Sequence, residues 1–281
     1  MDLKDKTVLI TGSTDGVGRV VVQRLGARGA RVLVHGRDAE RGKAVVAEIE
    51  AAGGKAELMD ADLASLAEVR RLAEAVRART DRLDILINNA GIGTAGQGAK
   101  RQVSADGYEL RFAVNYLAGF LLTAELLPML KASAPSRIVN VASAGQQAID
   151  FGDVMLTRAY DGVRAYCQSK LAQILFTVDL AERLKGTGVT VNALHPASYM
   201  NTTMVRQAGI TPWSSVEQGA EAILNLATSP DLEGRSGLYF DGLRESRADA
   251  QAYDAKARQQ LRELSLDLVG LAPTASKEKH S

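Results

Sequence analysis

Residues 7–18 read Thr7-Val8-Leu9-Ile10-Thr11-Gly12-Ser13-Thr14-Asp15-Gly16-Val17-Gly18. A short apolar run passes straight into glycines spaced G-x-x-x-G-x-G, and a helical pattern over 16–28 follows. The first part reads as a strand and the last as a helix. Glycine between them permits a tight turn and lets a phosphate come close to the backbone. The start of the helix supplies free N–H groups and a partial positive charge that suit a pyrophosphate. Gly12, Ser13, Thr14, Asp15, Gly16, Val17 and Gly18 are therefore the candidate dinucleotide loop. The spacing is not the commoner G-x-G-x-x-G, and a plain strand-to-helix turn is the alternative reading.

Outward from this loop the same alternation continues. Strands are expected at Arg31–His35, Lys55–Met59, Leu83–Asn88, Arg137–Ala142, Val189–Leu194 and Gly237–Phe240, with helices near 38–52, 65–79, 103–131, 160–186 and 215–228. Continuous apolar strands such as Val8–Ile10 and Ile85–Ile87 suit a parallel sheet covered on both faces. The expectation is an α/β fold: a single Rossmann-type, doubly wound parallel sheet of about seven strands flanked by helices. No Pro/Gly/Ser-rich linker interrupts it, so residues 1–272 read as one domain. Within it, a substrate lid is expected at about 197–215 and an added charged helix at about 248–270. The polar stretch 273–281 reads as a disordered tail.

Bulk properties exclude several classes. Of the 281 residues, 34 are basic and 33 acidic, a net charge of +1 that gives no reason to expect nucleic acid or an anionic membrane. Cys167 is the only cysteine, which excludes an intrachain disulfide and a cysteine-built zinc site. His35, His195 and His280 lack metal-ligand spacing, so no metal is expected. The N-terminus lacks a signal-peptide pattern, and no apolar stretch is expected to reach the roughly 18 residues of a membrane helix. A cytoplasmic location is the resulting expectation.

The second strand bears on the cofactor. It ends Val34-His35-Gly36-Arg37-Asp38. An acidic residue here would bind the ribose hydroxyls of NAD, whereas Arg suits the extra phosphate of NADP. Gly36 stands where the acid would be expected, and Arg37 follows with a guanidinium fitted to a phosphate dianion. NADP(H) is favoured over NAD(H). Against this, Asp38 offers a ribose ligand, and Asp15 lies in the loop itself.

Six motifs now stand in order: TGSTDGVG (11–18), DL (62–63), NNAG (88–91), Asn115 in FAVNYLAGFLLT, NVAS (140–143) and YCQSK (166–170). In these the chain resembles the short-chain dehydrogenase/reductase family over nearly all of residues 5–242. Its chemistry makes sense from the residues. Tyr166 and Lys170, four apart, share one helix face. A phenol with pKa ~10 needs its anion stabilised to work near neutrality, and a neighbouring ammonium does that. Ser143 would donate to a carbonyl oxygen as charge develops there.

The resemblance further implies that Lys170 binds the nicotinamide ribose and that Asn115 holds a water linking Lys170 to solvent. It also implies that Asp62 and Leu63 edge the adenine and that Asn89, Ala90 and Gly91 line the middle of the cofactor. Pro196 and Thr202 would lie near the nicotinamide. Here the chain departs from the family pattern, since Ala197 replaces the usual Gly and Thr202 sits one place late.

Ser143 and Tyr166 are 23 residues apart, and the inserted segment together with residues 165–184 and 263–271 resembles the retinol-dehydrogenase-like and WW-domain-oxidoreductase-like branch. The expected activity is hydride transfer between the nicotinamide and a small carbonyl or alcohol, with a lipophilic aldehyde or ketone fitting a pocket of Met155, Leu156, Tyr199, Met204 and Trp213. Three rival readings are a dinucleotide-binding regulator or scaffold, a Ser143 hydrolase lacking a G-x-S-x-G setting, and an epimerase or dehydratase. The long apolar faces at 112–130 and 166–184 exceed what one sheet face requires. The resemblance implies that these two helices form the interface of a homodimer or homotetramer. The alternative is that the added C-terminal helix covers that surface or the substrate cleft.

Overall fold

The computed structural model describes residues 2–94 and 98–271. Strands β1 (Thr7–Ile10), β2 (Arg31–Gly36), β3 (Lys55–Asp60), β4 (Ile85–Asn88), β5 (Ser136–Val141), β6 (Val189–His195) and β7 (Tyr239–Asp241) run parallel, and β8 (Arg244–Ser246) pairs antiparallel with β7. Their order is β3-β2-β1-β4-β5-β6-β7-β8. The sheet is the expected one with eight strands rather than about seven. The added β8 is a polar three-residue strand after the turn at Gly242, too short for any alternation to show.

Both faces are covered. Leu9, Leu33 and Leu86 enter one core with α3 (Leu66–Arg79), α4 (Ala118–Ala132), α5 (Gly162–Arg183) and α8 (Ala255–Leu268). Val8, Ile10, Val32, Val34, Ile85 and Ile87 enter the other, with α1 (Gly16–Ala27), α2 (Ala39–Ala51) and α7 (Val216–Thr228). That two-sided burial is why β1 and β4 are apolar without alternation. Asp84 pins their N-terminal ends. Its buried carboxylate accepts from Thr7 N at 2.9 Å and pairs with Lys6 and Arg82.

The helix expected from residue 103 begins later. Ser104 Oγ accepts from the N–H groups of Asp106 and Tyr108, and Val103 bridges Glu109, so this stretch is a turn. Such side-chain bonds compete with the helical ladder. A π-helical turn over Phe112–Leu117 then leads into α4.

One further expectation needs correction. The span Phe112–Ala132 is long and apolar enough to cross a bilayer, with mean hydropathy 1.4 over its best window. Its scattered Asn, Thr and Glu are too few to lower that mean. In the fold this span is a core helix, and 61% of that window is buried inside the protein.

The surplus apolar surface of the π turn and α5 is met within the chain. Buried Tyr116 hydrogen-bonds Ser265 of α8 at 2.7 Å, Tyr108 donates to Leu268 O, Arg258 pairs with Glu182, and Arg262 with Asp179. The expected C-terminal helix is thus a 3₁₀ turn (Ala250–Tyr253) followed by α8, which Asp254 caps. Residues 273–281 and His280 lie outside the described residues.

Candidate active site

The order of the sheet reverses between β1 and β4, and ligands of open α/β sheets bind in the crevice beyond the strands' C-terminal ends at such a point. Two motifs meet there. Thr11 Oγ1, at the end of β1, accepts from Asn89 N and Ala90 N, each at 3.0 Å. Asn89 Nδ2 donates back to Thr11 O and Gly12 O. The expected lining residues Asn89, Ala90 and Gly91 therefore stand beside the glycine loop, and Asn89 also braces it.

The loop's glycines have local reasons. Gly12 has φ +64°, and a Cβ on it would stand 2.8 Å from Ala90 Cα. A Cβ on Gly18 would stand 2.3 Å from Gly12 O, so α1 could not pack so closely under the loop. Asp15 caps α1, its carboxylate accepting from Gly16 N at 2.7 Å. The following N–H groups of the first turn have no partner in the helical ladder.

The end of β2 gives a specific result. A Cβ on Gly36 would lie 2.5 Å from Thr14 Cγ2, so the position that would carry an acid is closed by the glycine loop itself. Asp38 caps α2, accepts from Arg41 N and pairs with Arg41. Arg37 is exposed, and among the described residues no carboxylate pairs with it. Asp62 accepts from Ala64 N at 3.0 Å in the turn after β3, with Leu63 buried beside it.

The reactive groups converge from β5, α5 and the π turn. Ser143 follows β5 and its Oγ accepts from Gly145 N at 3.0 Å; a Cβ on Gly145 would stand 3.4 Å from Ser143 Oγ and 3.6 Å from Tyr166 Cε1, so the two side chains are neighbours. Lys170 is buried and donates to Val141 O (2.9 Å) and Gln173 Oε1 (3.0 Å). Burial lowers its pKa to about 8. Tyr166 does not show the expected lowering. Burial pushes its phenol up, the neighbouring Ser143 hydroxyl offsets this in part, and the Lys170 nitrogen stands 5.9 Å from the ring centre. Desolvation is the largest cause of the shift.

Asn115 lies in the π turn, a distortion often found at functional sites. Its Oδ1 accepts from Ile92 N at 2.7 Å, and its Nδ2 donates to Ile92 O and Ser169 Oγ. A Cβ on Gly91 would stand 3.3 Å from both Asn115 Oδ1 and Lys170 Nζ, so the NNAG turn touches the reactive set.

Beyond β6, buried Pro196 leads to a segment that arches over the glycine loop. Thr202 caps the short helix α6 (Thr203–Gln207), and a Cβ on Gly16 would lie 3.3 Å from its methyl group. A Cβ on Gly93 would lie 3.0 Å from Met204 Cγ, so α6 also meets the loop after β4. Residues 95–97 of that loop lie outside the described residues. Of the expected pocket residues, Leu156 is buried and Met155 partly buried, while Trp213 stacks edge-on against Tyr199 with 74% of its surface exposed. Trp213 therefore stands at the protein surface. Tyr239, which carries no motif, donates to Ser143 O at 3.2 Å and steadies that turn from β7.

Residues 6–212 match the family model described as short chain dehydrogenase. The chain belongs to the short-chain dehydrogenase family. Within it the chain is retinol-dehydrogenase-like. It is 40% identical to mouse retinol dehydrogenase 13, over 95% of this chain and 84% of that protein, and 37% identical to human retinol dehydrogenase 11, over 96% and 88%. Among solved structures, an uncharacterised protein from Mycobacterium paratuberculosis superposes with TM-score 0.79 at 29% identity, covering 97% of this chain and 98% of that one. The Pseudomonas aeruginosa RhlG/NADP complex gives TM-score 0.70 at 30% identity, covering 85% and 95%. This short-chain dehydrogenase is thus a hydride-transfer oxidoreductase that uses a nicotinamide dinucleotide. The site suits one: a helix start for the pyrophosphate, glycines without side chains above it, and buried Lys170 beside the NNAG turn.

Proposed function

We propose that this enzyme is an NADP(H)-dependent carbonyl reductase or alcohol dehydrogenase acting on a lipophilic ketone or aldehyde, with Tyr166 as its acid–base group. The observation that carries the reading is the meeting of Ser143, Tyr166 and Lys170 beside the glycine loop. The reduced nicotinamide, when bound, supplies the hydride. Tyr166 gives its proton to the carbonyl oxygen while Ser143 donates a second hydrogen bond there. Lys170 supplies positive charge to the phenolate left behind and holds the nicotinamide ribose. Asn115 maintains the water through which the proton is restored. Asp62 and Leu63 edge the adenine, and Pro196 and Thr202 approach the nicotinamide.

Preference for NADP(H) is supported by Gly36 packed against Thr14 and by an exposed Arg37 that pairs with no carboxylate among the described residues. The apolar character of Met155, Leu156 and Met204 supports a lipophilic substrate. A single catalytic domain and a cytoplasmic location complete the proposal.

The test is a fluorescence titration of NADPH and NADH with the wild type and Arg37→Ala, followed by a panel of aliphatic and aromatic aldehydes and ketones. Loss of charge-assisted bonds to the phosphate should weaken NADPH roughly 10- to 100-fold in Arg37→Ala and leave NADH unchanged. Tyr166→Phe should lose about 100-fold or more in turnover while still binding the cofactor. Equal binding of both cofactors, unaffected by Arg37→Ala, would refute the NADP assignment. A retained rate in Tyr166→Phe would refute the acid–base role.

A further inference from the structure

Two side chains grip the glycine loop from opposite strands, and only one of them belongs to a motif. From the end of β4, Asn89 Nδ2 donates to Thr11 O (2.9 Å) and Gly12 O (3.0 Å). From β2, His35 Nδ1 accepts the N–H of Gly12 at 3.0 Å. The backbone of His35 takes the next step of the loop: Ser13 N donates to His35 O at 2.8 Å, and His35 N donates to Ser13 Oγ at 2.9 Å. The peptides on both sides of Gly12 are thus clamped, and Gly12 is held at φ +64°.

Accepting at Nδ1 requires a neutral ring with its hydrogen on Nε2. The surroundings enforce the same state. Burial lowers the His35 pKa to about 4 and outweighs the Ala61 backbone and the acidic groups Asp60 and Asp62, which act on it from the end of β3 and the turn beyond and would raise it. The loop itself presents the Gly12 N–H and the Ser13 hydroxyl to this residue. Nε2 is buried and has no hydrogen-bond partner among the described residues. A buried donor without an acceptor costs free energy that an aliphatic side chain in the same space would avoid. What the imidazole contributes in return is the acceptor at Nδ1.

We infer that His35 is a positioning residue of the dinucleotide site, its neutral imidazole presetting the glycine loop for the pyrophosphate by holding the Gly12 N–H. It acts through the loop and touches no reacting atom. The inference rests on the proposed dinucleotide binding at this loop.

Three substitutions separate the acceptor from the space it fills. Asn carries its amide oxygen where Nδ1 stands, Gln reaches to the place of Nε2, and Leu fills the site without an acceptor. NADPH dissociation constants and thermal midpoints are measured for the wild type, His35→Asn, His35→Gln and His35→Leu. His35→Asn should bind within about threefold of the wild type, while His35→Leu and His35→Gln bind about tenfold more weakly, as expected for a buried donor left unpaired. A space-filling role predicts the reverse order, since Gln and Leu fill the ring's volume better than Asn. Wild-type affinity in His35→Leu, or an Asn variant as weak as Leu, overturns the inference. Should the variants fail to fold, ¹⁵N NMR of the wild-type ring at neutral pH decides. A neutral ring protonated on Nε2 is expected, and an imidazolium or an Nδ1–H ring overturns the clamp. A wild type that binds no dinucleotide overturns the functional reading itself, an outcome distinct from any ordering of the variants.

Discussion

Lys170 illustrates how a reactive residue is held at a cost to the fold. Its ammonium is buried with two acceptors, Val141 O and Gln173 Oε1, and its pKa is lowered to about 8 from 10.5. Because the folded value lies below the unfolded one, the buried charge weakens the protein fully below pH 8. That penalty fades as pH rises from 8 to 10.5. The shift corresponds to about 3 kcal/mol, and removing the side chain also removes two hydrogen bonds of ~1 kcal/mol each. Lys170→Met should therefore stabilise the protein by about 1 kcal/mol at neutral pH, with the gain crossing zero at about pH 9 and becoming a loss of about 2 kcal/mol toward pH 10.5 in urea titrations. A variant less stable than wild type at pH 7 would contradict this balance. At this scale the sequence was informative wherever spacing along one element carried the signal, as for Tyr166 and Lys170. Gln173, Tyr239 and His35 were opaque. Their partners come from other strands or a helical turn away, and no pattern along the chain marks them.

At the scale of elements, buried apolar runs announced β1, β2, β4, β5 and β6, because strands covered on both faces have little room for polar residues. The helix expected from residue 103 failed where Ser104 bonds its neighbours' backbone and where a π turn intervenes, neither of which disturbs the apolar pattern. Helix starts were more legible. Asp15, Asp38, Ser65, Asp161 and Ser215 each cap the helix that follows. Ser215 forms a complete capping box with Gln218, the two side chains each meeting the other's backbone N–H. Ser215→Ala should lower stability by about 1 kcal/mol in chemical denaturation. An unchanged midpoint would mean that α7 is held by its packing on α1 and the sheet without help from its cap.

For the whole molecule, the deciding feature is α8. It covers the face of the π turn and α5 that the sequence left conspicuously apolar, with Tyr116–Ser265, Arg258–Glu182 and Arg262–Asp179 sealing the contact. Part of the surface from which a homodimer was expected, the α5 face, is thus covered by the chain's own helix. Truncation before Ala255 should uncover aromatic and aliphatic side chains around Tyr116 and Phe176. Light scattering should then show a mass of two or more chains, or aggregation, where the full chain behaves differently. An unchanged mass would mean that α8 is dispensable as a cover. The same arrangement bears on how the protein is made. Chains fold progressively from the N-terminus during synthesis, and α8 leaves the ribosome after everything it covers. Until then the nascent chain carries an open apolar flank, and the docking of α8 is the step that covers it.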